Sequence, residues 1–294
     1  MTQLSEMKRS SQVSACAHGL IVAALFASHA TAQDADPLVQ LINEYRSSRQ
    51  TCDGKRTAAA GPLAPEERLA RADVGSSSGS LQEALQRVGY TAARVQFVVL
   101  TGPDNARSAM AALKNGYCAV LTNPSFSDIG VSRRDSRWQI VFAHPLLSPD
   151  LGDWREAGKA VLSLVNSARA QPRTCGERRF TRAPPVEWNA KLGSTALAHS
   201  RDMAKRNYFA HAGKGGSTVG DRVARQKYKW RRIGENIATG QGSPRQVVAG
   251  WLASPHHCMN IMEGAFTEMG AAYAVNPASA TKIYWTQVFG TPRR

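Results

Sequence analysis

The sequence predicts an α+β protein: two α/β/α sandwiches in tandem, the first a degenerate copy of the second. Three observations lead there. Segments recur in the same order along both halves. Leu41-Ile-Asn43-Glu-Tyr-Arg46 through Cys52 matches Leu164-Val-Asn166-Ser-Ala-Arg169 through Cys175; Tyr117-Cys118 through Gly130 matches His257-Cys258 through Gly270; Trp138 through Pro145 matches Trp285 through Pro292. An ordered repeat of this kind marks a duplicated folding unit. In the second half, apolar stripes at helical spacing alternate with β-rich runs, and helices flanking an antiparallel sheet bury both of its faces. Each half also carries one early and one late cysteine.

The chain opens on a targeting segment. Lys8 and Arg9 precede the apolar run Gly19–Phe26, and Ala30-Thr31-Ala32 offers the small residues a signal peptidase needs. Residues 1–32 therefore read as a signal peptide cleaved near Ala32, which makes the product secreted or periplasmic. The run is too short for a permanent membrane span, and no other segment is apolar enough for one. Cys16 precedes the apolar run instead of following it, the wrong order for a lipidation site. The first copy covers 36–147, a turn-rich linker 148–154, and the second copy 155–294. Gly75-Ser-Ser-Ser-Gly79-Ser reads as a flexible loop filling a deletion in copy one. Hydrophobic residues at 43% and charged residues at 20% exclude a disordered chain. The net charge of +15 admits an anionic partner but does not select one.

Removing the signal leaves Cys52, Cys118, Cys175 and Cys258, and four cysteines allow three pairings. The repeat matches Cys52 to Cys175 and Cys118 to Cys258, and export brings an oxidising compartment. The bridges expected are Cys52–Cys118 and Cys175–Cys258.

In the second copy, Val161, Leu164, Val165 and Ala168 form one helical stripe, and Leu192, Ala196, His199 and Met203 another. Ser243-Pro244 is a helix start, and Ser254-Pro255 ends that helix. Met269–Val275 and Lys282–Phe289 are β-rich and joined by a turn at Asn276-Pro277, a hairpin. Between these elements lie four motifs: Asn207-Tyr-Phe-Ala-His211; Ile233-Gly-Glu235-Asn-Ile-Ala238; Trp251-Leu-Ala-Ser254-Pro-His256-His257-Cys258-Met-Asn260-Ile261; and Phe266-Thr-Glu268-Met-Gly270 followed by Tyr284–Gly290. Taken in order, over 160–293, these motifs resemble the bacterial members of the CAP/SCP superfamily (cysteine-rich secretory protein, antigen 5, pathogenesis-related protein). The resemblance implies an α/β/α sandwich with a cleft lined by two histidines and acidic residues, sometimes holding a divalent metal. It matches His211 to the first cleft histidine, Glu235 to the glutamate of Gly-Glu-Asn, and His257 to the second histidine, with His256 where glycine is usual. Ser254 stands where many members have a glutamate, and Glu268 is the substitute acid. One continuous helix over 257–268 would set those two residues roughly 16 Å apart, so Glu268 joins the cleft only if the helix breaks, for example at Gly264.

From the residues themselves, His211, His257 and Glu235 suit either a zinc site with an open position or a hydrogen-bonded network that ties loops together. Ser254 beside a histidine is either a nucleophile or helix punctuation. Copy one has Phe97 for Glu235, Tyr117 for His257 and Asp128 for Glu268, and lacks the segment that would hold His211. Any ligand chemistry is therefore expected in copy two. Arg222–Arg232, with Tyr228 and Trp230 among its cations, reads as a solvated basic face; export argues against nucleic acid. His199 reads as a satisfied core histidine. The function expected is non-catalytic binding of a lipid, apolar small molecule or anionic envelope component through the second cleft, with no required cofactor. The alternative is a metal-assisted hydrolase acting on peptide or cell-wall material.

Non-reducing peptide mapping should recover Cys52 linked to Cys118 and Cys175 linked to Cys258. A Cys52–Cys175 peptide would overturn both the pairing and the boundary between copies.

Overall fold

Period-two burial along the long strands decides the architecture. In the last strand of the first half, Trp138, Ile140 and Phe142 enter one core while Val141 and Ala143 enter another. In the last strand of the second half, Trp285 and Phe289 face one core and Val288 the other. Each sheet thus needs helices on both faces. The computed structural model describes residues 36–74, 81–146 and 151–293. The signal segment 1–32, the loop at 75–80 and the start of the 148–154 linker lie outside the described residues.

The first half runs α1 (Pro37–Arg46), β1 (Gln50–Cys52), β2 (Lys55–Thr57), β3 (Ala64–Pro65), α2 (Glu67–Arg71), α3 (Leu81–Arg87), β4 (Ala92–Thr101), α4 (Ala106–Gly116), α5 (Cys118–Leu121), β5 (Asp128–Arg134) and β6 (Arg137–Pro145). The second runs α6 (Trp154–Arg169), β7 (Arg173–Cys175), β8 (Arg178–Phe180), β9 (Glu187–Trp188), α7 (Ala190–Arg206), α8 (Val219–Arg225), β10 (Trp230–Thr239), α9 (Pro244–Leu252), α10 (Pro255–Met262), β11 (Glu268–Val275) and β12 (Ile283–Pro292). The four-stranded sheets have equivalent orders, β3-β5-β6-β4 and β10-β12-β11-β9 read from opposite edges. The element-by-element match extends the repeat read from the sequence to the fold. Both sheets are mixed, not antiparallel as expected, because β3 and β9 each add a two-residue parallel strand.

The duplicated residues do duplicated work. Arg169 is fully buried at the end of α6. Its guanidinium donates to the carbonyls of Pro184 at 2.7 Å, Ile261 at 2.6 Å, Glu263 at 3.0 Å and Phe266 at 3.2 Å. Arg46 repeats this at the end of α1, donating to Gly61 at 2.9 Å, Leu121 at 2.6 Å, Asn123 at 3.1 Å and Phe126 at 3.3 Å. Asn166 and Asn43 each pair both ways with one backbone unit, Val186 and Leu63 respectively. Gly270 and Gly130 let a helix touch the sheet: a β-carbon at Gly270 would lie 2.0 Å from the Gly193 nitrogen, and one at Gly130 would lie 2.3 Å from the Ala70 nitrogen. Both expected disulfides are present. The deletion in copy one is visible as α2, 5 residues long where α7 has 17.

The second-half helices and the hairpin fall where the sequence placed them, with one change. Ser243 caps α9 by accepting from the Gln246 amide. Ser254-Pro255 does more than end α9: it opens α10, with Pro255 in the first turn.

The described residues make one compact unit. Its two halves meet along α9 and the chain leading into it. Gln241 donates to Pro62 O at 2.7 Å, Gln246 to Asp128 at 3.1 Å, and Asn43 to Ala253 O at 3.1 Å. Asp128 is buried there, accepts from the Tyr90 hydroxyl at 2.8 Å, and has its pKa pushed up to about 7, chiefly by burial.

A carboxyl whose folded pKa is raised favours the folded state when protonated. Its contribution is full below about pH 4 and is lost as pH rises through about 7. Asp128→Asn should therefore raise Tm at pH 8 relative to wild type by more than it does at pH 5, with each kcal/mol read as roughly 2–4 °C. A wild-type-minus-variant difference that is flat across this range, measured by thermal unfolding, would rule the effect out.

Candidate functional site

The second-half cleft is built on β10. Glu235 lies in mid-strand opposite Val288 of β12, on the face turned to α7 and α8. Asn260 of α10 holds the turn of the motif, donating to Glu235 O at 3.2 Å and to Asn236 Oδ1 at 2.9 Å. Asn236 in turn donates to His257 O at 3.2 Å and to Gln287 at 2.9 Å. The Gly-Glu-Asn motif is thus a hinge pin between strand and helix, with only its glutamate turned toward the cleft.

That glutamate is fully engaged. Its side chain is 3% exposed, and His211 Nδ1, on a side chain 57% exposed, lies 2.9 Å from Oε1. Arg222 of α8 donates to Oε2 at 2.7 Å. His199 Nε2 stands 3.9 Å from Oε1 and bonds Ala210 O at 3.0 Å. Burial raises the Glu235 pKa, but the His211 hydrogen bond and the charges of His199, Arg222 and His211 outweigh it and hold the carboxyl below its ordinary value. Arg222 also donates to Ser217 O at 2.7 Å and His211 O at 3.0 Å, so it positions the loop that carries the histidine.

The adjacent histidines divide. His257 turns inward, its Nδ1 buried without a partner among the described residues; burial, then His211 and His256, push its pKa down to about 3. His256 is exposed and lines a groove on the other side of α10. Ser254 is buried, and its Oγ also has no partner among the described residues. Ser254 stands at the junction of α9 and α10, at the N-terminal cap position of α10. Glu268 does not join the cleft. The helix does stop, at Met262, but Glu268 opens β11, where it accepts from Tyr228 at 2.5 Å and Asn189 at 3.1 Å. Asp128 takes the same position in copy one and accepts from Tyr90 in the same way, which makes this acid–tyrosine pair part of the repeated scaffold.

Among the described residues no group of three or more His, Cys, Asp or Glu is placed to hold a metal ion. Both Glu235 oxygens are occupied, Oε1 by His211 and Oε2 by the Arg222 guanidinium. Sequence reasoning missed this by assigning Arg222 to the basic face. The signal was present: Thr218 and Asp221 form a capping box, and Val219, Arg222 and Val223 then fall on one inward stripe. The rest of that run, Arg225, Lys227, Lys229 and Arg231, is exposed as expected. In copy one, Phe97 occupies the register position of Glu235, opposite Val141, and is 39% exposed.

A larger recess lies between the halves. It has a volume of about 1260 Å³ and is lined by α1, the start of α4, the β7–β8 turn and α10. Pro37, Leu41, Ala106, Pro255 and Met259 supply apolar surface, and Arg107 and Glu177 form an exposed ion pair of 3.1 Å at residues of its lining.

The C-terminal part of the chain, residues 162–289, matches the model of the cysteine-rich secretory protein family, CAP. The chain is 33% identical over 116 residues to the uncharacterized protein YkwD of Bacillus subtilis, covering 40% of this chain and 43% of that protein, so it spans under half of that relative's length. Among solved structures it is similar to an extracellular SCP-domain protein of Bacillus anthracis (20% identity, TM-score 0.41, 62% of this chain and 70% of that one). It is also similar to an outer surface protein of Borrelia burgdorferi (18% identity, TM-score 0.41, 48% of this chain and 97% of that one).

Arg222→Met takes the permanent cation from a buried carboxylate, leaving it His211 alone, and should cost about 3–5 kcal/mol. Adding Glu235→Gln should recover a substantial part of that loss. Urea unfolding of the single and double variants measures the coupling; equal losses in both would mean that the pair is not coupled.

Proposed function

We propose that this is an exported CAP-domain protein that acts by binding and not by catalysis, and that its ligand is a lipid or other apolar small molecule of the cell envelope. The observation that carries the reading is the saturation of Glu235: a carboxylate held by Arg222 and His211 serves poorly as a general base or a metal ligand. Ser254, buried and without a base, supports the same side. The groove between the halves has room for a small molecule, and Leu41, Ala106 and Met259 in its wall offer it apolar contact. It lies on the His256 side of α10, so the proposed ligand meets the groove and not the His211–Glu235 cluster. Export is supported by the signal-like N-terminus and the two disulfides.

A fluorescent long-chain fatty acid should bind the full chain and be displaced by lipid extracted from envelope membranes. Ala106→Trp, which adds an indole to the groove wall, should abolish binding, and His211→Ala should leave it intact. Loss of binding in His211→Ala alone would return the ligand to the cleft. Labelling of Ser254 by a fluorophosphonate would favour the hydrolase.

A further inference from the structure

The edge strand of the second sheet carries a feature set apart from the cleft, which meets the apolar groove only at Arg178 and Met259. A recess of about 360 Å³ is lined by Arg178 and Phe180 of β8, Trp230 and Arg232 of β10, and Asn260 and Phe266, among others. Arg178 lies over the Phe180 ring, 4.5 Å from its centroid. Arg231, at the irregularity where β10 breaks register with β12, lines a neighbouring recess of about 510 Å³ with Arg293. None of Arg178, Arg231, Arg232 and Arg293 is ion-paired among the described residues, although all four are exposed. Exposed guanidinium groups left without partners, around half-buried aromatic faces, suit a flat ring that carries or adjoins an anionic group.

The remaining lining narrows the chemistry. Asn260 spends both amide bonds on Glu235 O and Asn236 Oδ1, which leaves its own Oδ1 as an acceptor. Glu263, also in the wall, adds a carboxylate that bonds the Ala265 amide. Acceptors beside cations fit a ligand rich in hydroxyl donors as well as anionic groups. We propose that this edge binds an acidic polysaccharide, sugar faces on Trp230 and Phe180 and uronate carboxylates on Arg178 and Arg232, with Arg231 and Arg293 extending the track. This goes beyond the apolar ligand proposed above; the two recesses share only Arg178 and Met259 at their common rim, so retained fatty-acid binding in the Arg178/Arg232 variant separates failure of one from failure of the other.

The test titrates the full chain with alginate oligomers at low ionic strength, using neutral dextran, single-stranded DNA and anionic lipid vesicles as comparisons. Alginate should bind, with affinity falling as salt rises, and dextran should not. Arg178→Ala combined with Arg232→Ala should weaken alginate binding by about tenfold or more, since two charge-assisted contacts are lost. Arg201→Ala with Lys205→Ala, on exposed positions of α7, removes the same charge and should leave binding within about twofold, because long-range charge is screened. Thermal unfolding of both double variants should match wild type. Equal loss in the two would reduce the effect to net charge and overturn the proposal. So would absence of alginate binding, or tighter binding to DNA or vesicles that the Arg178/Arg232 change does not affect.

Discussion

Everything in this molecule hangs on a guanidinium placed where a chain reversal needs donors. In each half, one arginine at the end of the leading helix reaches under the sheet and collects four backbone carbonyls from segments 15 to 97 residues away. Those carbonyls lie in irregular backbone or, for Leu121 and Ile261, in the last turns of α5 and α10, where no ladder satisfies them, and leaving them buried and unpaired would cost more than a typical hydrogen bond returns. Burial pulls the Arg46 pKa down to about 9, still well above neutrality, so the staple remains charged. The asparagine three residues earlier fixes the next loop by pairing with both backbone groups of one residue. Together they place the turn before β5 in one half and before β11 in the other, and so set the start of the central strands.

From that frame the two halves diverge by what was kept on the outer helices. The second retains a long α7, the loop bearing His211, and α8 bearing Arg222. The first has a short α2 and lost the loop. Since Arg222 and His211 are the groups that neutralise Glu235, their absence leaves no means of burying a carboxylate at the matching place. Phe97 there is consistent with that: an apolar residue needs no counter-ion. The tyrosine–acid pairs Tyr90–Asp128 and Tyr228–Glu268 were kept in both, as expected of scaffold and not of site.

Much of the fold was legible because duplication tests itself: Asn43, Arg46 and Gly130 reappear as Asn166, Arg169 and Gly270, and the same geometry stands around each. The disulfides followed from that match. What escaped was short or non-local. Two residues of parallel strand at β3 and β9 are too few to show a period. Ser254-Pro255 reads the same whether it closes one helix or opens the next. Arg222 sat in a run of cations and was grouped with them, although its burial depends on α8 packing against β10. Glu268 looked like a cleft acid because sequence cannot say which tyrosine will meet it. The seam between the halves, made by Gln241, Gln246 and Asn43, leaves no pattern in either copy, since its partners come from the other one.

That seam has a consequence for how the chain reaches its native state. Asn43 donates to Ala253, 210 positions later, and Ala253 itself belongs to the apolar cluster under α1. The N-terminal half therefore cannot finish its own interior until nearly all of the polypeptide is present. A duplicated protein would ordinarily be free to fold one copy behind the other as it emerges. Here the first copy must wait, partly open, for the second, and closure over so long a loop is among the slower steps a chain can take.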